Sequence, residues 1–410
     1  MNILYLAHRI PYPPNKGEKI RTFHQLLHLS KHHIVHLVCL VDDPNDLEHV
    51  NLLERYCASV VAVYRSKTLA LGLATRSLLT RKPLSVATFY RKALAREVTR
   101  KLQTETFDVI FVSSAAMAEY VLEVSTLPRV IDFIDVDSEK WRQYAQHYTI
   151  PLTWIYGLEA RRLAAYEAKI AQVFNHVVLI SAEEQLLLQQ RIGARPITVI
   201  SNGVDLNYFV PRSADTASHR QPALVFTGAM DYFPNIDAVQ YFCNDIFPLV
   251  HAVVPDCRFS IVGRNPTQRV QALSKHPNVT VTGTVADVRP YLAQATLAVA
   301  PFRLARGVQN KVLEAMAAGL PVVGTSQAFE GIAATEADGI RIADDPQHFA
   351  QELIALLTGN DTMRQQCALR ARHYVETHHQ WQEPGMQLER LLQGVLRTPG
   401  TDASLMAYHQ

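Results

Sequence analysis

The stretch Arg303–Gly324, RLARGVQNKVLEAMAAGLPVVG, gathers the residue types that bind a phosphorylated diol. Gly307 permits a tight turn with exposed backbone, and the helix expected after it offers unpaired amides and the positive end of its dipole to an anion. Arg303, Arg306 and Lys311 surround that helix start with positive charge. Glu314 follows along the same helix, where a carboxylate can accept hydrogen bonds from vicinal hydroxyls such as those of a ribose. Phosphate donors and a diol acceptor on one helix point to a nucleotide site. The plain alternative is an ion pair between Lys311 and Glu314, three residues apart on one helix face.

The elements that must position these groups are legible as short apolar runs separated by helical patterns. In the first half the runs are NILYLA, IVHLVCLV, SVVAVY, FDVIFVSS, RVIDFI, HVVLIS and ITVIS, with GEKIRTFHQLLHLSKH as a helix. The second half repeats the scheme with ALVFTG, CRFSIVG, VTVTG, ATLAVAPF, LPVVG and GIRIA. Unbroken apolar strands alternating with helices predict parallel sheets covered on both faces. The small residues Ala315, Ala317, Ala318 and Gly319 suit a helix packed closely on such a sheet. The polar, proline-containing segment LNYFVPRSADTASHRQ reads as a linker. The expected fold class is therefore α/β, with two doubly wound domains facing a cleft into which the strand ends point.

Composition sets the outer bounds. With 410 residues, 48% hydrophobic and 19% charged, the chain can bury a large core but exceeds the usual single-domain size. No apolar run reaches the roughly 20 residues of a membrane span, and MNILYLAHRI has no basic region ahead of its apolar stretch. A soluble, cytoplasmic protein is expected. The five cysteines are widely spaced with no CxxC, so they read as buried thiols. Net charge is only +2, yet Arg65–Lys101 holds ten Lys or Arg and one acid, Glu97. Within it LALGLATRSLL, with Arg76 inside and Lys67, Arg81 and Lys82 flanking, suits an interfacial helix on anionic lipid. A solvated helix face is the other reading. No nucleic-acid partner is implied.

Several motifs carry a family resemblance. SNGVD at Ser201–Asp205 followed by Phe209 and Pro211, GAMDYFPN at Gly228–Asn235, IVG ending at Gly263, VTGTVADVRPYL and KVLEAMAAGLPVV occur in an order and spacing that resemble family 4 glycosyltransferases of the GT-B fold. The likeness runs over nearly the whole chain. PYPPNKGEKIR, IDFIDVDSEKW and ARGVQNKVLEAMA are most similar to the sugar transferases associated with exosortase (PEP-CTERM) exopolysaccharide loci. The resemblance implies two Rossmann-like domains: 1–205 for the acceptor, a linker at 206–221, 222–385 for a nucleotide sugar, and a helix or tail at 386–410. It implies retaining transfer from a nucleotide diphosphate sugar to a hydroxyl, with no cofactor beyond the donor, and the basic amino-terminal half suits a lipid-linked saccharide as acceptor. Attachment to the inner face of the membrane is the accompanying expectation.

Carried onto this chain, nucleotide-sugar contacts fall at Gly228, Gly263, Arg264, Val285, Gly307, Gln309, Asn310 and Glu314. Catalytic candidates are His8, Arg303, Arg306 and Lys311. His8, ending the first strand, reads equally well as a base or as a satisfied structural residue. Arg9, Gly17, Glu18, Lys19, Arg21, Asp135 and Asp137 are acceptor-side candidates. The sequence departs from the family pattern in two places. The Glu-x7-Glu pair keeps its second member as Glu314 but has Arg306 in place of the first, and the first glycine loop has Ala229, Met230 and Asp231 where an Arg and a Lys usually stand. Phosphate-neutralising charge must then come from Arg303, Arg306 and Lys311.

Other readings remain beside this one. Asp135-Val136-Asp137 resembles a DxD metal site, but with the nucleotide signals in the second half a metal-independent site is favoured, and orienting acceptor hydroxyls or capping the helix near Ser138 are the other roles open to the two carboxylates. His32, His33 and His36 are expected at a helix end, in a structural role. No GxGxxG, P-loop, GxSxG or HExxH pattern is present. A sugar-nucleotide epimerase and a silent nucleotide-binding scaffold are the alternatives from other classes.

Overall fold

The computed structural model describes residues 1–66, 82–211 and 221–397. The chain divides into two compact units, Met1–Ser201 with the chain from Gln382 onward, and Asn202–Trp381. Each apolar run named above forms a strand, trimmed at its ends by zero to three residues.

The first unit carries β1 (Asn2–Ala7), β2 (Ile34–Val41), β3 (Ser59–Tyr64), β4 (Val109–Ser113), β5 (Arg129–Ile134), β6 (His176–Leu179) and β7 (Ile197–Val199). They form one sheet in the order β3-β2-β1-β4-β5-β6-β7, parallel throughout. Alternate residues of one strand feed opposite faces, as the two-residue period of a strand requires. Ile3, Tyr5 and Ala7 join one buried cluster, while Leu4 and Leu6 join the other. Both faces are covered, which is why these strands read as continuous apolar runs.

The helix Gln382–Arg397 closes one face through Leu388 and Leu392, both fully buried. Gly385 allows this approach, since a Cβ there would lie 2.4 Å from the His28 ring. Glu389 pairs with His28 and His33 at 3.1 and 2.9 Å. Burying each leucine contributes about 1.5–3 kcal/mol, against about 0–1 for an exposed ion pair, so the leucines hold the helix and the pairs set its register. The histidine grouping expected at a helix end is corrected here. The helix Gly17–Leu29 ends before these residues, and His36 lies within β2, bonded to Ser59 and Glu105 at 2.9 and 3.0 Å.

The second unit carries β8 (Ala223–Thr227), β9 (Arg258–Val262), β10 (Val279–Val281), β11 (Leu297–Ala300), β12 (Val322–Gly324) and β13 (Arg341–Ile342). Their order is β10-β9-β8-β11-β12-β13, again all parallel. The strand order reverses between β8 and β11, as it does between β1 and β4 in the first unit. In open parallel sheets such a reversal leaves a crevice at the carboxyl ends of the strands, where ligands bind. Among the described residues no helix is long and apolar enough to cross a membrane.

Candidate functional site

The second unit builds its site at that reversal. Leaving β8, Gly228 meets Gly263 leaving β9, and a Cβ on Gly263 would lie 1.6 Å from the Gly228 carbonyl oxygen. Only glycine lets the two turns cross backbone on backbone. The crossing is tied by the Met230 amide donating to the Arg264 carbonyl at 2.8 Å. A Cβ on Gly228 would lie 2.8 Å from Asn235 Nδ2 and 3.3 Å from Lys311 Nζ. The Lys311 ammonium therefore sits directly over the glycine turn.

Its position is fixed from three sides. Nζ donates to Asn235 Oδ1 at 2.6 Å and lies 4.7 and 5.2 Å from the centres of the Phe302 and Phe226 rings. Asn235, itself buried, donates in turn to the Ala229 carbonyl at 2.9 Å. Burial among these groups pushes Lys311 down to about 7, with the Glu314 charge opposing the shift. Burial likewise pushes Glu314 up to about 7, opposed by Lys311. The ammonium goes to Asn235, and among the described residues the Glu314 carboxylate takes no hydrogen bond or ion pair. The simple Lys311–Glu314 ion pair is thus not the arrangement found. Both groups are poised near neutrality, where a ligand can set their charge.

The loop between β11 and the helix Asn310–Ala317 supplies the donors. Gly307 has φ +61°, and its carbonyl lies 2.6 Å from where a Gly331 Cβ would stand. Gln309 donates from Nε2 to the Arg306 carbonyl at 2.9 Å, closing the turn, and makes no side-chain cap on the helix it precedes. Asn310 accepts from Asn202 at 2.8 Å, while its own Nδ2 is buried with no partner among the described residues. An uncapped helix start beside an unsatisfied buried N–H and an ammonium is a ready anion cradle.

The remaining sequence candidates divide by what already holds them. Arg303 is paired through Nε and Nη2 to Asp237, with Nε at 3.1 Å, and lies 4.7 Å over Tyr241, so its charge is matched within the protein. Arg306 is half-buried in the turn. Arg264 is half-buried, and among the described residues its guanidinium has no hydrogen bond or ion pair. Val285 is half-buried beyond the end of β10. Sequence reasoning missed Asn235 and Asp237 as the anchors of Lys311 and Arg303. The available signal was Asn235 itself, a poor helix former placed early in the helix Phe233–Tyr241.

In the first unit, His8 and Arg9 follow β1. His8 is buried, and its Nδ1 has no hydrogen-bond partner among the described residues. Burial, then the adjacent Arg9, pushes it down to about 4, so the imidazole is neutral at physiological pH. Arg9 bridges Asp42 and Glu18 at 2.6 Å each, Lys19 pairs with Asp46 at 2.9 Å, and Arg21 pairs with Asp132 at 2.7 Å. Gly17 opens the helix that carries Glu18, Lys19 and Arg21. Asp137 pairs with Lys140 and opens the helix Asp137–His147, whereas Asp135 stands just before it. The start of that helix is held by Glu167, which accepts from the Ser138 amide at 3.0 Å, so neither aspartate caps it.

Residues 221–359, which include all six strands of the second unit, match the family model described as glycosyl transferases group 1. No curated protein matches the sequence. In fold the chain is similar to a sucrose-phosphate synthase from Thermosynechococcus elongatus, with a TM-score of 0.72 at 16% identity over 96% of this chain and 99% of that one. It is also similar to HepE of Anabaena, solved in complex with UDP and glucose, with a TM-score of 0.66 at 16% identity over 96% of this chain and 100% of that one. A third likeness is to WaaG, a glycosyltransferase involved in lipopolysaccharide biosynthesis, with a TM-score of 0.65 at 16% identity over 97% of this chain and 100% of that one. The fold is thus the two-domain α/β fold of the GT-B glycosyltransferases.

Proposed function

We propose that the protein is a glycosyltransferase that moves a sugar from a nucleotide diphosphate sugar to a hydroxyl, with retention of anomeric configuration. The observation that carries this reading is the Lys311 ammonium, held by Asn235 over the Gly228–Gly263 crossing and one turn before Glu314. The diphosphate is taken by Lys311, the buried Asn310 N–H and the first amides of the helix, with Arg264 and Arg306 adding charge. Glu314 accepts from the ribose. In the reaction the anomeric carbon–oxygen bond breaks, its electron pair passes to the diphosphate, and the acceptor oxygen bonds to the same carbon as its proton leaves. Donors fixed where that negative charge grows are the largest contribution such a site can make. His8 and the charged groups around it are assigned to the acceptor side.

The acceptor is proposed to be a lipid-linked saccharide in exopolysaccharide synthesis, met at an anionic membrane surface. Lys92 and Arg96 are exposed along one helix, Lys92–Thr104, whereas Arg100 pairs with Glu97, Arg65 with Asp42, Arg91 is buried, and the buried Lys101 pairs with Glu105. Lys67, Arg76 and Arg81 lie outside the described residues.

Lys311 gives the test. Its amine titrates near 7 in the free protein, and a bound diphosphate must raise that value. The affinity it contributes is therefore full below about pH 7 and is lost as pH rises through the higher value of the complex. Lys311→Ala is expected to cost about 1.5–3 kcal/mol for a nucleoside diphosphate, less for the monophosphate, and to flatten the pH dependence. Calorimetry between pH 6 and 9 with both ligands reads all three. Equal losses for the two ligands would make Lys311 a structural residue.

A further inference from the structure

We infer that the tip of the helical hairpin formed by Asp137–His147 and Leu152–Val173 is the element that inserts into an anionic lipid surface, an inference that rests on the membrane reading above. The turn between these helices exposes large apolar side chains: Ile150 is 86% exposed and Trp154 64%, with Leu152 at 38%. Apolar groups this open, within five residues of one another, have no reason to face water in the folded chain alone.

The turn is braced from behind. Tyr156 packs against Trp141 at 5.4 Å and against Tyr148 at 5.3 Å between ring centres, so the apolar tip is presented on a fixed aromatic layer. Charge selects the partner. Between residues 140 and 169 the only acids are Glu159 and Glu167, each 1% exposed. Glu159 accepts from the Ser85 amide at 2.9 Å, and Glu167 holds Ser138. The hairpin therefore shows no acid to solvent over this span, whereas His147, Arg161 and Lys169 are exposed, as is Arg142, whose guanidinium pairs with Glu139 just before it. An exposed tryptophan and isoleucine flanked by bases, with no exposed acid among them, is complementary to an anionic headgroup layer over hydrocarbon. The same surface continues to Lys82, whose carbonyl accepts from Arg162 at 3.4 Å.

The test uses the full chain with vesicles of equimolar phosphatidylglycerol and phosphatidylcholine, and with phosphatidylcholine alone. The wild type is expected to sediment with the first and weakly with the second. Ile150→Ser/Trp154→Ser is expected to bind the anionic vesicles about tenfold more weakly while keeping nucleoside diphosphate affinity and the wild-type melting profile, which together show that both units are folded. Lipids brominated along the chain should quench Trp154, one of three tryptophans, and that quenching should vanish in Trp154→Phe. Equal vesicle binding by the double variant overturns the inference and leaves membrane attachment to other residues. A change in oligomeric state with no change in vesicle binding also overturns it, in favour of a contact between copies. A wild type that ignores anionic vesicles overturns the membrane reading itself.

Discussion

Glu314→Gln is expected to weaken nucleoside diphosphate binding by about 1.5–3 kcal/mol, roughly 10- to 150-fold, without destabilising the protein. The glutamine keeps the shape but replaces one acceptor oxygen by a donor, so a diol loses one of its two bonds. The change also removes the charge that keeps Lys311 from falling further, which weakens the diphosphate end as well. The loss should therefore appear with the monophosphate and grow with the diphosphate. Because burial pushes the Glu314 carboxyl up with no hydrogen bond to it among the described residues, neutralising it should leave the melting temperature equal or slightly raised. An unchanged affinity in a folded variant would remove Glu314 from the site.

Arg21→Met is expected to act on stability instead, at about 3–5 kcal/mol. Arg21 is 1% exposed, and its Nε lies 2.7 Å from the fully buried Asp132. Asp132 also accepts from Gln25 at 2.7 Å and from the Ile134 amide at 3.0 Å, and Arg21 donates to the Ile200 carbonyl at 2.8 Å. Removing the guanidinium strands a charge in the core and leaves that carbonyl without this donor. For a domain stable by about 5–15 kcal/mol this is a large share, and a fall on the order of 10 °C should be seen by scanning calorimetry. Arg21→Met/Asp132→Asn should recover part of it, since the uncompensated charge is gone. If Arg21 touches the acceptor, the variant changes the acceptor KM at unchanged stability, and that result would return it to the binding machinery.

The strands were legible because parallel strands buried on both faces must be apolar at every position, and NILYLA or IVHLVCLV satisfy this without tertiary information. Gly228 and Gly263 were legible because only glycine serves a backbone crossing, and Lys311 and Glu314 stood out as residue types suited to a phosphate and a diol. Partnership was not legible. Arg303 reads as free phosphate charge in sequence, but Asp237, 66 residues earlier, takes it. Arg9, Lys19 and Arg21 read as acceptor-side charges, yet each is matched by an acid brought over by another element. Nor does any local pattern announce that Leu388 and Leu392 cover the first unit's sheet, because amphipathic spacing gives a helix a buried face without naming what covers it.

The most direct measurement is turnover of a panel of nucleotide diphosphate sugars by the wild type and by Lys311→Ala, with an extract of lipid-linked saccharides as acceptor and the anomeric carbon followed by NMR. The account predicts that one donor is consumed only when acceptor is present. One nucleoside diphosphate is then released per glycoside formed, the product keeps the donor's anomeric configuration, and Lys311→Ala is about 100-fold slower or worse. A donor epimerised without acceptor, or bound and never turned over, would contradict it.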